Sequence, residues 1–263
     1  MTPPSLELAA ERPRWDDYEL TLLESEPLGP HRRLRLAAAG LAGRFAPGQF
    51  LNLSVPGHLL RRPLAVADQG SGWLELLVTP FGPGTRKLVG LTPGVRLRAL
   101  GPLGNGFAEP AGDVALVSAG AGVAALLMLA ERARAGGGSV YVFHGAPGAE
   151  DAELVAASYE ARGFAVSYYS EDGSHGRRGL PTEGLRELLA AGTAVSVYSV
   201  GPYALMRAAA RLAIEYGRPG YVSLDVHMAC GVGACLSCAV MTRQGQKRAC
   251  VDGPVFEARE VVW

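Results

Sequence analysis

Cysteine is absent from the first 229 residues of this 263-residue chain, and all four cysteines lie within the 21 residues that follow. Disulfides spread across the fold are therefore excluded. An excess of one charge is also lacking, because 25 Lys and Arg residues balance 25 Asp and Glu residues. No basic run forms the stripe that a nucleic-acid backbone requires. We expect no nucleic-acid partner.

The sequence also lacks a recognisable leader or membrane span. The first 18 residues carry four carboxylates and no apolar core of roughly 7 to 15 residues, which a secretory signal needs. The uncharged stretch between Asp113 and Glu131 has 17 residues and is interrupted by glycines. Roughly 20 apolar residues are needed to span a bilayer. We expect a cytoplasmic protein with no membrane partner.

The length suggests two domains of roughly 150 residues or fewer, with a small third module. Residues 15–108 contain short β-prone runs separated by Gly and Pro turns, which is typical of a small antiparallel β-barrel. A short helix is predicted over residues 85–89. The predicted strands are Tyr18–Leu23, Arg33–Leu36, Phe50–Val55, Leu64–Ala67, Trp73–Thr79 and Val95–Leu100.

Residues 111–222 have a different pattern, in which apolar strands alternate with Ala- and Leu-rich helices. Such alternation predicts a doubly wound α/β domain with a ligand crevice at the carboxyl ends of its strands. The predicted strands are Val114–Val117, Val140–Phe143 and Val195–Val200, and the predicted helices are Val123–Ala135, Ala152–Arg162, Thr182–Ala191 and Tyr203–Tyr216.

The cysteines define a third module over residues 223–263. Cys230, Cys235 and Cys238 have the Cys-x4-Cys-x2-Cys spacing of plant-type [2Fe–2S] proteins, and Cys250 follows after eleven residues. The alternative is a four-thiolate zinc site in a non-enzymatic interaction module. Zinc sites of this kind use two Cys-x2-Cys-type pairs, whereas only one is present here. His227 lies nearby but is not expected to be a ligand.

Two segments of the first domain are candidates for phosphate binding. Arg61-Arg62-Pro63 begins a predicted strand, and the guanidinium groups could bind phosphate oxygens. The alternative is a solvated strand edge. Gly82–Thr85 forms a Gly-rich turn before the short helix, where amides and a hydroxyl could meet a pyrophosphate.

The second domain offers two candidate dinucleotide turns. Ser118–Ala125 follows a strand and opens a helix, as a dinucleotide-binding turn does, although tight strand–helix packing is the alternative. Gly201-Pro202 follows the strand that ends at Val200. Residues 143–147 contain no Arg that could meet the 2′-phosphate of NADP, which favours NAD. Arg177 and Arg178 are either solvated or an alternative contact for that phosphate.

The order of these motifs resembles the ferredoxin–NADP reductase superfamily. Within it, the chain is similar to the electron-transfer subunits of NAD-dependent dihydroorotate dehydrogenase, from about Asp17 to Trp263. The motifs that carry the resemblance are Pro47–Phe50, Arg62–Ala65, Gly84-Thr85, Gly101–Phe107, Glu171–Ser174 and Cys250–Phe256.

The resemblance implies an FAD barrel, an NAD domain and a [2Fe–2S] module, with no catalytic residue for dihydroorotate. An FMN-containing catalytic subunit would oxidise dihydroorotate, and electrons would reach NAD⁺ through this chain's cluster and FAD during pyrimidine biosynthesis. A hetero-oligomer with two copies of each subunit is expected. The implied site residues are Arg62, Pro63, Leu64, Ala65, Leu77, Val78, Thr79, Gly84 and Thr85 for FAD; Gly120, Gly122, Gly201 and Pro202 for NAD; and Cys230, Cys235, Cys238 and Cys250 for the cluster.

Two positions depart from the family pattern. Ala65 stands where Ser or Thr is usual, so a hydroxyl expected near the flavin is missing. Ala125 stands where the turn usually has Pro. A subunit of an NADH-dependent ferredoxin–NADP oxidoreductase or of a hydrogenase shares all three modules and is the alternative within the superfamily.

Overall fold

The computed structural model describes residues 15–263. The predicted absence of a leader rests mainly on residues 1–14, which lie outside the described residues. None of the helices within the described range has the length and apolar character needed to cross a lipid bilayer.

Residues 16–103 form a closed six-stranded antiparallel barrel, with the strand order β1-β2-β5-β4-β3-β6. Buried residues alternate along β6 with exposed or half-buried ones, such as Arg96 and Arg98, as expected for a strand with one face turned to a core. The short predicted helix is present as α1. The elements are β1 (Asp16–Leu28), β2 (His31–Ala37), β3 (Phe50–Leu53), β4 (Arg62–Gly70), β5 (Trp73–Val78), α1 (Pro83–Val89) and β6 (Arg96–Leu103).

A seven-stranded sheet follows, with the order β10-β9-β8-β7-β11-β12-β15, in which the edge strand β15 is Val255–Glu257 of the C-terminal segment. All neighbouring pairs are parallel except β12 and β15. The predicted doubly wound fold is confirmed. Its elements are β7 (Val114–Ala119), α2 (Val123–Ala135), β8 (Val140–Ala146), α3 (Ala152–Ser158), β9 (Val166–Ser170), β10 (Arg177–Arg178), α4 (Pro181–Ala190), β11 (Ser196–Val200), α5 (Tyr203–Glu215) and β12 (Gly220–Ser223).

Alternate residues of the central strand β7 pack against opposite helical layers. Val114 and Leu116 share a core with α2, whereas Ala115 and Val117 share one with α4 and α5. Both faces of β7 are therefore buried, which explains its continuous apolar run. The chain runs from β7 to β8, β9 and β10 on one side of β7 and then returns to β11 on its other side. The carboxyl ends of β7 and β11 consequently form the switch point where ligands bind in such sheets.

The C-terminal segment contains three strands that the sequence pattern did not predict: β13 (Ala239–Thr242), β14 (Gly245–Arg248) and β15 (Val255–Glu257). The first two form a hairpin beyond the cysteine loop. The third pairs antiparallel with β12, so the segment after the last cysteine completes the edge of the α/β sheet. The strands β9, β10 and β12 were also not predicted.

Candidate functional site

A cavity of about 510 Å³ lies where the barrel, the α/β sheet and the C-terminal segment meet. This volume, with mostly apolar walls and a few polar groups, is typical of small-molecule and cofactor sites. The barrel contributes Pro63, Leu64, Ala65, Leu77, Val78 and Thr79, all of which are residues that the resemblance implied for the flavin. The structure therefore brings these six together on one wall, and they fit a bound flavin.

The other three implied flavin residues lie beside this wall and do not line the cavity. Arg62 packs directly over Gly84, where an added Cβ would come within 2.0 Å of the guanidinium. The Thr85 hydroxyl accepts a hydrogen bond from the Gly82 amide at 3.0 Å and so closes the start of α1. Arg62 thus has room because residue 84 lacks a side chain.

Arg61 does not join Arg62 in a phosphate-binding fork. Its guanidinium donates to both carboxylate oxygens of Asp17, at 3.2 and 3.3 Å. Arg98 donates to the same carboxylate at 2.8 Å. Of the two consecutive arginines, Arg62 is the one that lies beside the wall formed by Pro63–Ala65 and Leu77–Thr79.

The two candidate dinucleotide turns meet at the switch point of the sheet. Gly122, Gly201 and Pro202 all line the cavity, and Gly120 lies just before them with a φ of +57°. An added Cβ at Gly122 would lie 2.9 Å from the carbonyl oxygen of Val200, so only glycine permits this approach of the two turns. The first turn therefore packs tightly against the end of β11 and also lines the cavity.

A buried group of side chains behind this turn was not predicted from the sequence. Asp151 accepts hydrogen bonds from the Gly120 amide and from the Nε2 atoms of His144 and His31. Burial opposes the charge, but the bonds from His144 and His31 hold the pKa of Asp151 well below its usual range. Asp151 is therefore an anion that touches both the barrel and the dinucleotide turn.

Cys230, Cys235 and Cys238 lie on one loop and Cys250 follows the β13–β14 hairpin, and backbone amides of the loop point at the sulfurs. The amides of Val232 and Ala234 donate to Cys230 Sγ at 3.5 and 3.3 Å, and the Gly233 amide donates to Cys250 Sγ at 3.1 Å. Such donors stabilise negatively charged sulfur. Gly231 and Gly233 have positive φ, which the loop requires to turn its amides inward.

The thiols differ in exposure and in acidity. Cys238 and Cys250 are buried, whereas Cys235 is exposed. The Ser237 hydroxyl and neighbouring amides lower the pKa of Cys235 to about 6. Burial and the adjacent Cys238 together raise the pKa of Cys250 to about 12.

The arrangement of the thiols fits a cluster of two irons. Within residues 15–263, no three His, Cys, Asp or Glu side chains are grouped closely enough to hold one metal ion. The pKa of Cys235 responds to Cys230, and the pKa of Cys250 responds to Cys238 and to Cys230, so the four thiols lie near one another. In a [2Fe–2S] cluster each iron binds two of the four thiolates, so three thiolates need not share one point.

Asn52 of β3 and Asn105, which follows β6, hold the C-terminal segment in place. Asn52, which is 1% exposed, donates to the Cys230 carbonyl at 3.2 Å, and its own Oδ1 has no partner among the described residues. Asn105 makes three side-chain hydrogen bonds to the backbone of Asp252 and Val255. The cluster loop and the segment after it are therefore fixed directly to the flavin barrel.

The arginines considered for an NADP phosphate are differently placed. Arg177 donates to both carboxylate oxygens of Glu187 at 2.7 Å and lies over the Tyr169 ring. Arg178 packs its aliphatic stem against Gly173. Arg177 is thus committed to an ion pair, which agrees with the expected preference for NAD.

Comparisons with known proteins now bear on this site. A family model described as the iron–sulfur cluster binding domain of dihydroorotate dehydrogenase B matches residues 225–262, which include all four cysteines. The electron transfer subunit of dihydroorotate dehydrogenase B (NAD⁺) from Clostridium perfringens is 34% identical, covering 81% of this chain and 86% of the relative. The subunits with that name from Bacillus velezensis and a Geobacillus species are 37% and 32% identical, covering 82% and 93% of this chain and 86% and 98% of each relative.

The chain belongs to the dihydroorotate dehydrogenase B electron transfer subunit family. The resemblance drawn from the motifs is thereby confirmed, and the family match supports the iron–sulfur interpretation of the cysteines over the zinc alternative.

Solved structures agree with the fold. The structure of an NADH-dependent reduced ferredoxin–NADP oxidoreductase has a TM-score of 0.85 at 28% identity, covering 92% of this chain and 89% of that one. A ferredoxin–NADP⁺ reductase from Neisseria gonorrhoeae, with bound FAD and NADP, has a TM-score of 0.62 at 17% identity and covers 76% of this chain and 92% of that one. The second likeness concerns the fold alone.

Proposed function

We propose that this chain is the subunit that links dihydroorotate oxidation in a partner subunit to the reduction of NAD⁺ in pyrimidine biosynthesis. FAD, a [2Fe–2S] cluster and NAD are its cofactors and co-substrate. When bound, FAD exchanges a hydride with nicotinamide and single electrons with an iron–sulfur cluster. The three described segments, residues 15–108, 111–222 and 223–263, are assigned to FAD, NAD and the cluster respectively.

One observation carries this proposal: the shared cavity touches all three segments. Leu77 of the barrel, Gly201 of the α/β sheet and Met228 of the cysteine segment line the same space. A flavin placed against the barrel wall would have the dinucleotide turns on one side and the cysteine loop on another. Electron exchange requires such closeness, whereas a simple binding module does not.

The protein residues bind and orient in this proposal. The wall of Pro63–Ala65 and Leu77–Thr79 holds the flavin, with Arg62, Gly84 and Thr85 beside it for the phosphates. Gly120, Gly122, Gly201 and Pro202 receive the dinucleotide at the switch point. Ala65 lines the cavity without a hydroxyl, so Thr79 is the hydroxyl that this wall presents. Cys230, Cys235, Cys238 and Cys250 hold the cluster.

The exposed end of the cysteine loop is the proposed contact with the catalytic subunit. Cys235 is exposed, and the neighbouring Leu236 is 57% exposed with a φ of +62°. An apolar side chain displayed beside a cluster ligand suits a protein interface. We assign this face to an FMN-containing dihydroorotate dehydrogenase subunit, in a cytoplasmic assembly with two copies of each chain.

The test is coupled turnover in the assembled complex. Anaerobic affinity purification of this chain from its native cell should recover an FMN-type dihydroorotate dehydrogenase subunit in stoichiometric amount. In that complex, Cys235→Ala should abolish NAD⁺ reduction by dihydroorotate and leave NADH oxidation by artificial acceptors. Gln244→Ala, an exposed residue of the same module, is the matched control. Unchanged coupled turnover in Cys235→Ala would refute the proposal.

A second candidate is favoured by the likeness to the NADH-dependent ferredoxin–NADP oxidoreductase structure at a TM-score of 0.85. In that case the co-purifying subunit would be a ferredoxin–NADP oxidoreductase or hydrogenase component, and dihydroorotate would not reduce the complex. The same purification therefore separates the two candidates.

A further inference from the structure

Five side chains form a continuous hydrogen-bonded row between the barrel and the α/β sheet. The distances are 2.9 Å from Thr79 Oγ1 to His31 Nδ1, 2.6 Å from His31 Nε2 to Asp151 Oδ1, 2.9 Å from Asp151 Oδ2 to His144 Nε2 and 3.0 Å from His144 Nδ1 to Ser118 Oγ. His31, Asp151, His144 and Ser118 are each at most 4% exposed. Thr79, at one end, lines the cavity.

The ionised state of Asp151 sets the direction of the hydrogen bonds in this row, because its pKa lies well below the usual range. The Gly120 amide, which can only donate, bonds to Asp151 Oδ2 at 2.9 Å. An ionised carboxylate only accepts hydrogen bonds, so the Nε2 atoms of both His31 and His144 must donate to Asp151. Each imidazole therefore carries a proton on Nε2, and its Nδ1 faces a hydroxyl.

The protonation of His31 Nδ1 decides what Thr79 offers to the cavity. Asp151 is the one carboxylate that either imidazole contacts within residues 15–263, so His31 and His144 are not both imidazolium ions, and a neutral His31 is part of the proposal below. In neutral His31, Nδ1 accepts a hydrogen bond, so the Thr79 hydroxyl donates its proton to His31. Only oxygen lone pairs then remain for a ligand in the cavity.

We propose that His31, held by Asp151 in its Nε2–H form, is a positioning residue that fixes the Thr79 hydroxyl as a hydrogen-bond acceptor toward the flavin. The tautomer assignment stands on the chain's own contacts. Its effect on the flavin rests on the proposed function, in which Thr79 touches FAD.

The Asp151→Asn substitution should reverse this arrangement with almost no change in shape. An amide has one accepting oxygen, and the Gly120 amide requires that oxygen. The amide nitrogen of Asn must then face His31 and donate to Nε2. His31 would respond by moving its proton to Nδ1 and donating to Thr79, whose own proton would be freed toward the cavity.

Nitrogen NMR of the histidine side chains tests the tautomer in the protein without added FAD. At neutral pH, His31 of the wild type should carry its single proton on Nε2, and in Asp151→Asn it should carry it on Nδ1. A wild-type His31 that is protonated on Nδ1, alone or together with Nε2, overturns the proposal. This wild-type result decides the matter even where Asp151→Asn fails to fold.

FAD titration tests the effect on the flavin. Removing the hydroxyl in Thr79→Val should weaken FAD binding about 3- to 10-fold, the loss expected for one hydrogen bond. Asp151→Asn made alone should shift the visible flavin spectrum. Asp151→Asn added to Thr79→Val should cause no further shift. Gln244→Ala is the control, because it changes an exposed side chain outside the row and should leave FAD affinity unchanged. An equal spectral shift in both backgrounds refutes the route through Thr79. A wild type that binds no FAD refutes the proposed function instead, while the NMR result stands.

Discussion

Replacing Asn105 by Ala should loosen the cluster module from the flavin barrel. The Asn105 side chain donates to the carbonyls of Asp252 and Val255 at 3.2 and 3.0 Å and accepts from the Val255 amide at 3.0 Å. Val255 is buried, so its amide and carbonyl would lose partners without regaining water. Leaving these buried groups unpaired should lower the free energy of unfolding by about 1 to 3 kcal/mol.

The assay is thermal unfolding together with cluster absorbance and iron content. For a chain of this size the loss corresponds to a fall of roughly 2 to 12 °C in Tm. The segment that Asn105 holds begins two residues after Cys250, so the cluster should be lost at a lower temperature than FAD. In the wild type the two should be lost together.

The control is Gln244→Ala, which changes an exposed amide of the same module without a comparable set of bonds. Surface changes of this kind alter stability by less than about 0.5 kcal/mol. If Asn105→Ala behaves as Gln244→Ala does, in both Tm and cluster retention, Asn105 does not fix the module to the barrel.

Three further predictions concern the dinucleotide turn, the phosphate contact and the buried acid. Gly122→Ala should weaken NAD⁺ binding in a titration, because the added Cβ would lie 2.9 Å from the Val200 carbonyl oxygen; unchanged affinity would contradict the close approach. Gly84→Ala should displace Arg62 and lower FAD affinity, and an equal affinity would place Arg62 outside the flavin site. The pKa of Asp151 is far below its ordinary value of 3.8, so its contribution to stability is present above that value and is lost as pH falls below it. Asp151→Asn should therefore flatten the acid limb of stability measured by urea unfolding, and a limb as steep as that of the wild type would contradict the assignment.

Much of the fold could be predicted because local patterns specify it. The barrel strands are short runs between Gly and Pro turns, and α2 begins and ends where the predicted helix does, at Val123 and Ala135. The strands that escaped prediction lack such patterns. β15 has three residues and is stabilised by pairing with β12. The nearest paired residues, Ser223 and Val255, are 32 positions apart in the sequence, so no local signal reveals the pairing.

The site was predictable where chemistry shows in spacing or in a family motif. The cysteines are of this kind, and the structure also places Pro63 to Ala65 together on the cavity wall, where their contact with a flavin stays a prediction. His31 and Asp151 are 120 positions apart, and neither lies in a recognisable motif, so their contact emerges only from the packing of the barrel against the α/β sheet. Asn52 likewise reads as an ordinary strand residue until its contact with the Cys230 carbonyl is seen.

Anaerobic titration of the purified, cofactor-loaded chain with NADH tests the central claim most directly. The account predicts that NADH bleaches both the flavin and the cluster absorbance in the wild type. In Cys235→Ala it should bleach the flavin alone, because the flavin and dinucleotide walls of the cavity do not include Cys235. A wild-type chain that retains FAD and cluster, but whose cluster NADH leaves oxidised, would contradict the claim that the shared cavity connects the three segments.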